Sequence, residues 1–173
     1  MDENAPALIL EPYLFLGPVE AASPGAVLMN GITHVLTIGG TRPPRDPDDL
    51  NHVVYRRIPL ANRPTSIVNE SSLADEFIDS ARASNGKILV HCRAGMSRSP
   101  SIVAAYLMKR YNMSLKQALG MCIRARPRVN PNPVLLELLK EMEMSLRGVC
   151  SLDVVALPAK RGERLALFGI PAA

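Results

Sequence analysis

Three consecutive aliphatic residues, Ile88-Leu89-Val90, run into His91-Cys92-Arg93-Ala94-Gly95-Met96-Ser97-Arg98-Ser99-Pro100, and an apolar stretch from Ile102 to Met108 follows. No other segment restricts the fold so tightly. An unbroken aliphatic run suits a strand buried on both faces, as strands of a parallel sheet are. Proline is tolerated in the first turn of a helix but not deeper, so Pro100 places a helix start near Ser99. A helix that is apolar all round is a buried one. The segment therefore reads as strand, short loop and central helix.

The rest of the chain extends this pattern. Leu14–Leu16, Ile32–Ile38 and Val53–Leu60 read as strands, and Pro24–Asn30 as a short helix stopped at Gly31. Ser72-x-x-Asp75 has the form of a capping pair, with Leu73, Phe77, Ile78 and Ala81 at helical spacing behind it and Asn85-Gly86 as the stop. Ser114-x-x-Gln117 opens a helix carrying Leu115, Ala118, Leu119, Cys122 and Ile123. Asn132-Pro133 reads as cap and first residue of a last helix with Leu135, Leu136, Leu139, Met142 and Leu146 on one face. Thr41–Pro47 is a proline-rich loop, and Arg63–Asn69 is another loop. Strands alternating with helices predict an α/β fold: a central, mostly parallel sheet of about four or five strands flanked by helices. Ligands of such sheets bind beyond the carboxyl ends of the strands, where Cys92 falls.

A cysteine, five residues and an arginine form the layout of a thiolate facing a phosphate. A free cysteine is mostly protonated at neutral pH, and the thiolate is the nucleophile. The amides of Arg93, Ala94, Gly95, Met96, Ser97 and Arg98 would form a nest around one anion. The positive end of the following helix and the Arg98 charge add to it. Arg98 offers a planar fork for two phosphate oxygens. Ser99 can donate its hydroxyl to the sulfur, and His91 can brace the loop from behind. Gly95 supplies a position without Cβ where the backbone turns close to the ligand.

The bulk numbers fit one domain. The chain has 173 residues, of which 47% are hydrophobic, ample for a core. No run of ~18 apolar residues predicts a membrane span. Met1-Asp2-Glu3-Asn4 does not read as a secretory signal, and Asp2 excludes the usual N-myristoylation motif. Three cysteines, Cys92, Cys122 and Cys150, cannot all pair, which suits a working thiol in a reducing compartment: the cytoplasm, with the nucleus as an additional location. Cys122 falls on an apolar helix face and reads as packing; Cys150 reads as a surface thiol. The net charge of +4 does not by itself call for nucleic acid. Arg93, Arg98, Arg124, Arg126 and Arg128 are expected to cluster near the loop and attract anionic phosphosubstrates, although scattered solubilising charge accounts equally well for Arg124 and Arg128.

His91-Cys92-x-x-Gly95-x-Ser97-Arg98-Ser99 resembles the signature of the cysteine-dependent protein phosphatases. Ala104-Ala105-Tyr106-Leu107-Met108, Leu14-Phe15-Leu16-Gly17, Gly31-Ile32-Thr33-His34-Val35-Leu36 and Arg126-Pro127-x-x-x-Pro131-Asn132 resemble the small, atypical dual-specificity branch of that superfamily. The resemblance runs in order from about residue 8 to about residue 147. It implies a protein tyrosine phosphatase-like fold, phosphoprotein substrates, catalysis by Cys92, Arg98 and Ser99, and no metal or cofactor. Residues 1–147 then form the catalytic domain. Residues 148–173 read as a C-terminal tail, flexible or docking, with Leu165-Ala166-Leu167-Phe168 as a docking patch.

The chain departs from the family pattern at one place. Related phosphatases protonate the leaving group with an aspartate on a loop upstream of the cysteine, and Asn62 of Ile58-Pro59-Leu60-Ala61-Asn62 stands at the matching position. An amide cannot act as this acid. Three readings stay open. Another acid (Glu70, Asp75, Asp46, Asp48 or Asp49) reaches the site; or the enzyme is slow and favours phenolic leaving groups; or the chain is a phosphoprotein-binding scaffold with little turnover. A phosphatase of a non-protein ester is a further alternative, weakened by Ala94 and Met96, where loops acting on inositides often carry lysines.

Overall fold

Alternate residues of the inner strands serve two different layers. The computed structural model of the chain describes residues 2–40, 42 and 50–172. Its five-stranded sheet is made of β1 (Ala7–Leu10), β2 (Leu14–Gly17), β3 (His34–Ile38), β4 (Val54–Ile58) and β5 (Ile88–His91), in the spatial order β1-β2-β5-β3-β4. The four strands from β2 to β4 are parallel, and β1 pairs antiparallel with β2. This is the predicted mostly parallel sheet. Leu14, Leu16, Leu36, Ile38, Ile88 and Val90 point to one face, while Phe15, Val35 and Leu89 point to the other, as a period of two requires.

The first face is covered by α2 (Val68–Ala83), α3 (Arg98–Tyr111), α4 (Leu115–Ala125) and α5 (Pro133–Arg147). The second carries a 3₁₀ turn at Val19–Ala22 and α1 (Pro24–Met29), with Leu50 and Val53 closing the edge. Residues 102–108 of α3 are buried throughout, which makes α3 the central helix. Serine, asparagine and glycine set the helix ends as their chemistry dictates. Ser114 and Gln117 form a complete capping box, Asn132 accepts from the Leu135 amide, and Gly31 turns the chain after α1 at φ +65°. Among the described residues no helix is long and apolar enough to cross a membrane.

One strand is added to the expected elements and one helix start is corrected. β1 is a strand that the sequence pattern does not reveal. The helix expected from Ser72 begins instead at Val68, behind the buried Ile67. Ser72 donates back to the Val68 carbonyl at 3.0 Å, and Asp75 is buried against Lys109 at 2.5 Å. Neither is a cap. Beyond Arg147, where the sequence pattern fades, the chain stays packed on the domain. Leu152, Leu157 and Leu165 join the main core, and Arg161–Leu167 forms a short helix, α6.

Candidate active site

A parallel sheet delivers all its carboxyl ends to one edge. The loop Cys92–Ser97, between β5 and α3, lies there beside the segments that leave β2, β3 and β4. Four of its carbonyls are pulled outward by donors on its back. The Val19 amide donates to Arg93 O at 3.0 Å and the Asn130 amide to Met96 O at 2.8 Å. Arg126 donates through Nη2 to Ala94 O at 2.9 Å and through Nε to Gly95 O at 3.0 Å. Because each peptide unit is planar and trans, a carbonyl turned out leaves its amide turned in. The result is a concave row of N–H groups, a nest for a tetrahedral anion. Gly95, at φ +63°, packs against backbone; a Cβ there would sit 2.6 Å from the Gly17 carbonyl carbon.

Cys92 is 3% exposed, at the floor of this loop. Ser99 is fully buried, and its hydroxyl donates to Cys92 Sγ at 3.1 Å. The first turn of α3 rises from the same place, so the positive end of its dipole faces the loop. Arg98 Nη1 donates to Leu60 O at 3.4 Å. Its guanidinium lies across Gly39, where a Cβ would come within 2.2 Å of Nη1. Glycine at position 39 thus gives the arginine room at the mouth.

His91 is fully buried. Its Nδ1 donates to Cys92 O at 3.2 Å, and its Nε2 meets Thr37 Oγ1 at 2.7 Å. With Nδ1 as donor, the neutral ring accepts the threonine hydroxyl at Nε2. Burial pushes its pKa down to about 4, although the bond to Cys92 O acts in the opposite direction. The unfolded chain therefore takes a proton near pH 6.5 that the folded chain refuses. The stabilisation is complete above pH 6.5 and is lost as pH falls from there toward 4. Between pH 7 and pH 5 this should remove about 2 kcal/mol of folding free energy. Urea midpoints across that range test it: His91→Asn, with nothing to titrate there, should lack this part of the decline.

Of the five arginines expected near the loop, Arg126 is no substrate-facing charge. It is 4% exposed and braces the loop from behind. Its third nitrogen donates to Glu3 O, and neighbouring Arg128 pairs with the Glu3 carboxylate at 2.9 Å. Arg124 lines a cavity with Tyr111 and Asn112, at the far end of α3 from the loop. Arg98 remains beside the loop, and Arg93 is an exposed residue of the loop itself.

The sequence reads Asn132 as a helix cap and as the end of a motif that resembles the family, with no contact assigned to it. It does more: its amide donates to Ser97 Oγ at 2.9 Å, and its Nδ2 donates to the backbone carbonyl of Asn62 at 2.6 Å. One residue ties the phosphate loop, the start of α5 and the segment after β4 together. Asn62 itself is exposed. Of the spare acids, Asp75 is spent on Lys109, about 16 Å up α3 from Arg98 at 1.5 Å per residue. Burial raises the Asp75 pKa, and Lys109 opposes that rise. Glu70 lies in the first turn of α2. Asp46, Asp48 and Asp49 lie outside the described residues.

A buried thiol that accepts a serine hydroxyl, under a ring of amides and an arginine, defines a site of the cysteine-dependent phosphatase class. Residues 14–145 match the family model described as dual specificity phosphatase, catalytic domain. The chain is 39% identical over 147 residues to dual specificity protein phosphatase 1 of Arabidopsis thaliana, covering 84% of this chain and 73% of that one. Among solved structures it resembles DUSP15, with 32% identity, a TM-score of 0.72, and coverage of 84% of this chain and 92% of the other. It also resembles human DUSP28, with 28% identity, a TM-score of 0.70, and coverage of 82% and 95%. The chain belongs to the dual-specificity phosphatase family and is a protein phosphatase.

Proposed function

We propose that the chain hydrolyses phosphotyrosine, and phosphoserine or phosphothreonine, through a phosphocysteine intermediate, slowly because Asn62 supplies no proton. The observation that carries the reading is the 3.1 Å hydrogen bond from Ser99 to Cys92 Sγ inside a loop whose carbonyls are turned away. Cys92 Sγ attacks phosphorus as the bond to the substrate oxygen breaks. The inward amides and Arg98 hold the three equatorial oxygens as charge spreads over them. The leaving oxygen takes its proton from water or departs as an anion. Water then attacks phosphorus, the sulfur–phosphorus bond breaks, and Ser99 stabilises the departing thiolate. Phosphate is released and the sulfur returns to its starting state.

Without a general acid, a phenoxide leaves far more easily than an alkoxide. Phosphotyrosine is therefore the better substrate class. Rapid mixing with an aryl phosphate should give a burst of phenol equal to the enzyme concentration, and acid quenching should leave phosphate on the peptide containing Cys92. Failure to label that peptide under turnover would overturn the reading. A burst followed by near silence would favour the phosphoprotein-binding scaffold.

A further inference from the structure

The segment after α5 returns to the back of the phosphate loop. Arg164 of α6 is 6% exposed and has no carboxylate partner among the described residues. Its Nη1 donates to Pro158 O at 2.7 Å and Ala159 O at 3.0 Å, and its Nη2 donates to Pro127 O at 3.1 Å. Its Nε is buried without a hydrogen-bond partner. Docking α6 does not require this charge, because Leu165 already enters the core and Phe168 packs over Gly120. A buried cation facing only carbonyls is costly to keep, so what it holds is informative.

It holds Pro127, the residue after Arg126. Proline has no N–H, so the backbone there can be fixed only through its carbonyl. Arg126 carries two of the four outward contacts of the phosphate loop. We infer that α6 is a buttress for the catalytic loop, with Arg164 a positioning residue that acts through Pro127 and Arg126 on the carbonyls of Ala94 and Gly95. Arg164 and the rest of α6 lie beyond residues 14–145, the stretch matched to the family, whereas Pro127 and Arg126 lie within it. The inference rests on the phosphate-loop reading above.

The test uses the full chain and orthovanadate as the probe. Arg164→Met removes every donor while keeping a long apolar stem, and Arg164→Gln is a second variant should the first not fold. Each is assayed below its own Tm for vanadate affinity and for kcat and KM on p-nitrophenyl phosphate. Vanadate affinity and kcat/KM should fall together by roughly ten-fold, the scale of one lost hydrogen bond to a charged group. Arg126→Met should fall further. The double variant should be no worse than Arg126→Met alone, because residues acting in series are not additive. Folded Arg164 variants with unchanged vanadate affinity, or losses that add to those of Arg126→Met, overturn the inference. A wild-type chain that neither binds vanadate nor labels at Cys92 overturns the phosphate-loop reading instead.

Discussion

Cys92→Ser should keep its fold and its affinity for phosphopeptide while losing turnover by roughly 10⁴–10⁶-fold, the scale seen when a nucleophile is removed from a site whose parts act as a unit. The exchange is nearly isosteric at a side chain that is 3% exposed, and Ser99 can still donate to the new oxygen. The amides, Arg98 and the start of α3 are untouched, so an oxyanion is still held. What disappears is the sulfur nucleophile of the proposed mechanism, since a serine hydroxyl has no adjacent base here to remove its proton. His91 cannot serve: its Nδ1 is turned to Cys92 O and its Nε2 to Thr37. Cys122→Ser is the matching control. That thiol is fully buried on α4, and burial pushes its pKa up to about 12. Its replacement should lower stability by about 1–3 kcal/mol, the cost of burying a hydroxyl, and leave kcat on phosphotyrosine peptide unchanged. Steady-state turnover with capture of phosphopeptide by the inactive variant checks both. Activity that survives at position 92 removes the sulfur from the mechanism.

The contrast between these two cysteines is readable without coordinates, because each sits in a local pattern strong enough to decide its role. Ile88-Leu89-Val90 before Cys92 forces a buried strand, Pro100 forces a helix start, and the loop between them has no freedom to be anything but tight. Cys122 lies at helical spacing from Ala118, Leu119 and Ile123, and it packs where that spacing puts it. Sequence and structure part where a local pattern is degenerate. Ser72-x-x-Asp75 matches a capping pair, yet serine and aspartate three apart also occur inside helices. What decides the start of α2 is the burial of Ile67 and the Ser66 hydroxyl, which accepts from the Val68 amide at 3.2 Å. β1 escapes because a four-residue edge strand with an irregular register leaves little alternation to detect. The supports of the active site are invisible for a different reason. Arg126 reaches back 31 residues to Gly95, and Asn132 reaches back 70 to Asn62. Such contacts exist only once α4 and α5 have packed. The sequence marks both residues through family resemblance and cannot say what they touch.

Asn62→Asp should raise kcat on phosphotyrosine peptide, by up to the roughly 10²–10⁴-fold that a positioned general acid contributes. The geometry favours a clean gain. Asn132 holds this segment through the backbone carbonyl of residue 62, not through its side chain, so the tether survives the substitution. The side chain is exposed and the exchange isosteric, so stability should stay within about 0.5 kcal/mol. The gain should depend on the leaving group. Tyrosine leaves as a basic phenoxide and benefits fully from a proton; p-nitrophenol leaves as a weakly basic anion and benefits little. The pH dependence carries a sign as well. An acid must be protonated to work, so kcat on phosphotyrosine should gain a limb that falls as pH rises through the ionisation of the introduced carboxyl in the enzyme–substrate complex, a limb that wild type lacks. The same carboxylate, once ionised, can accept a proton from the water that attacks phosphocysteine, and breakdown of the intermediate should quicken too. Burst experiments separate the two effects: a larger burst rate reports the first step, a faster steady state the second. Equal gains on both substrates would place the effect in breakdown of the intermediate, the step the two share; no gain on either, or a fall, would mean that the wild-type chain already draws its proton from another group. Glu70 would then be the first residue to replace.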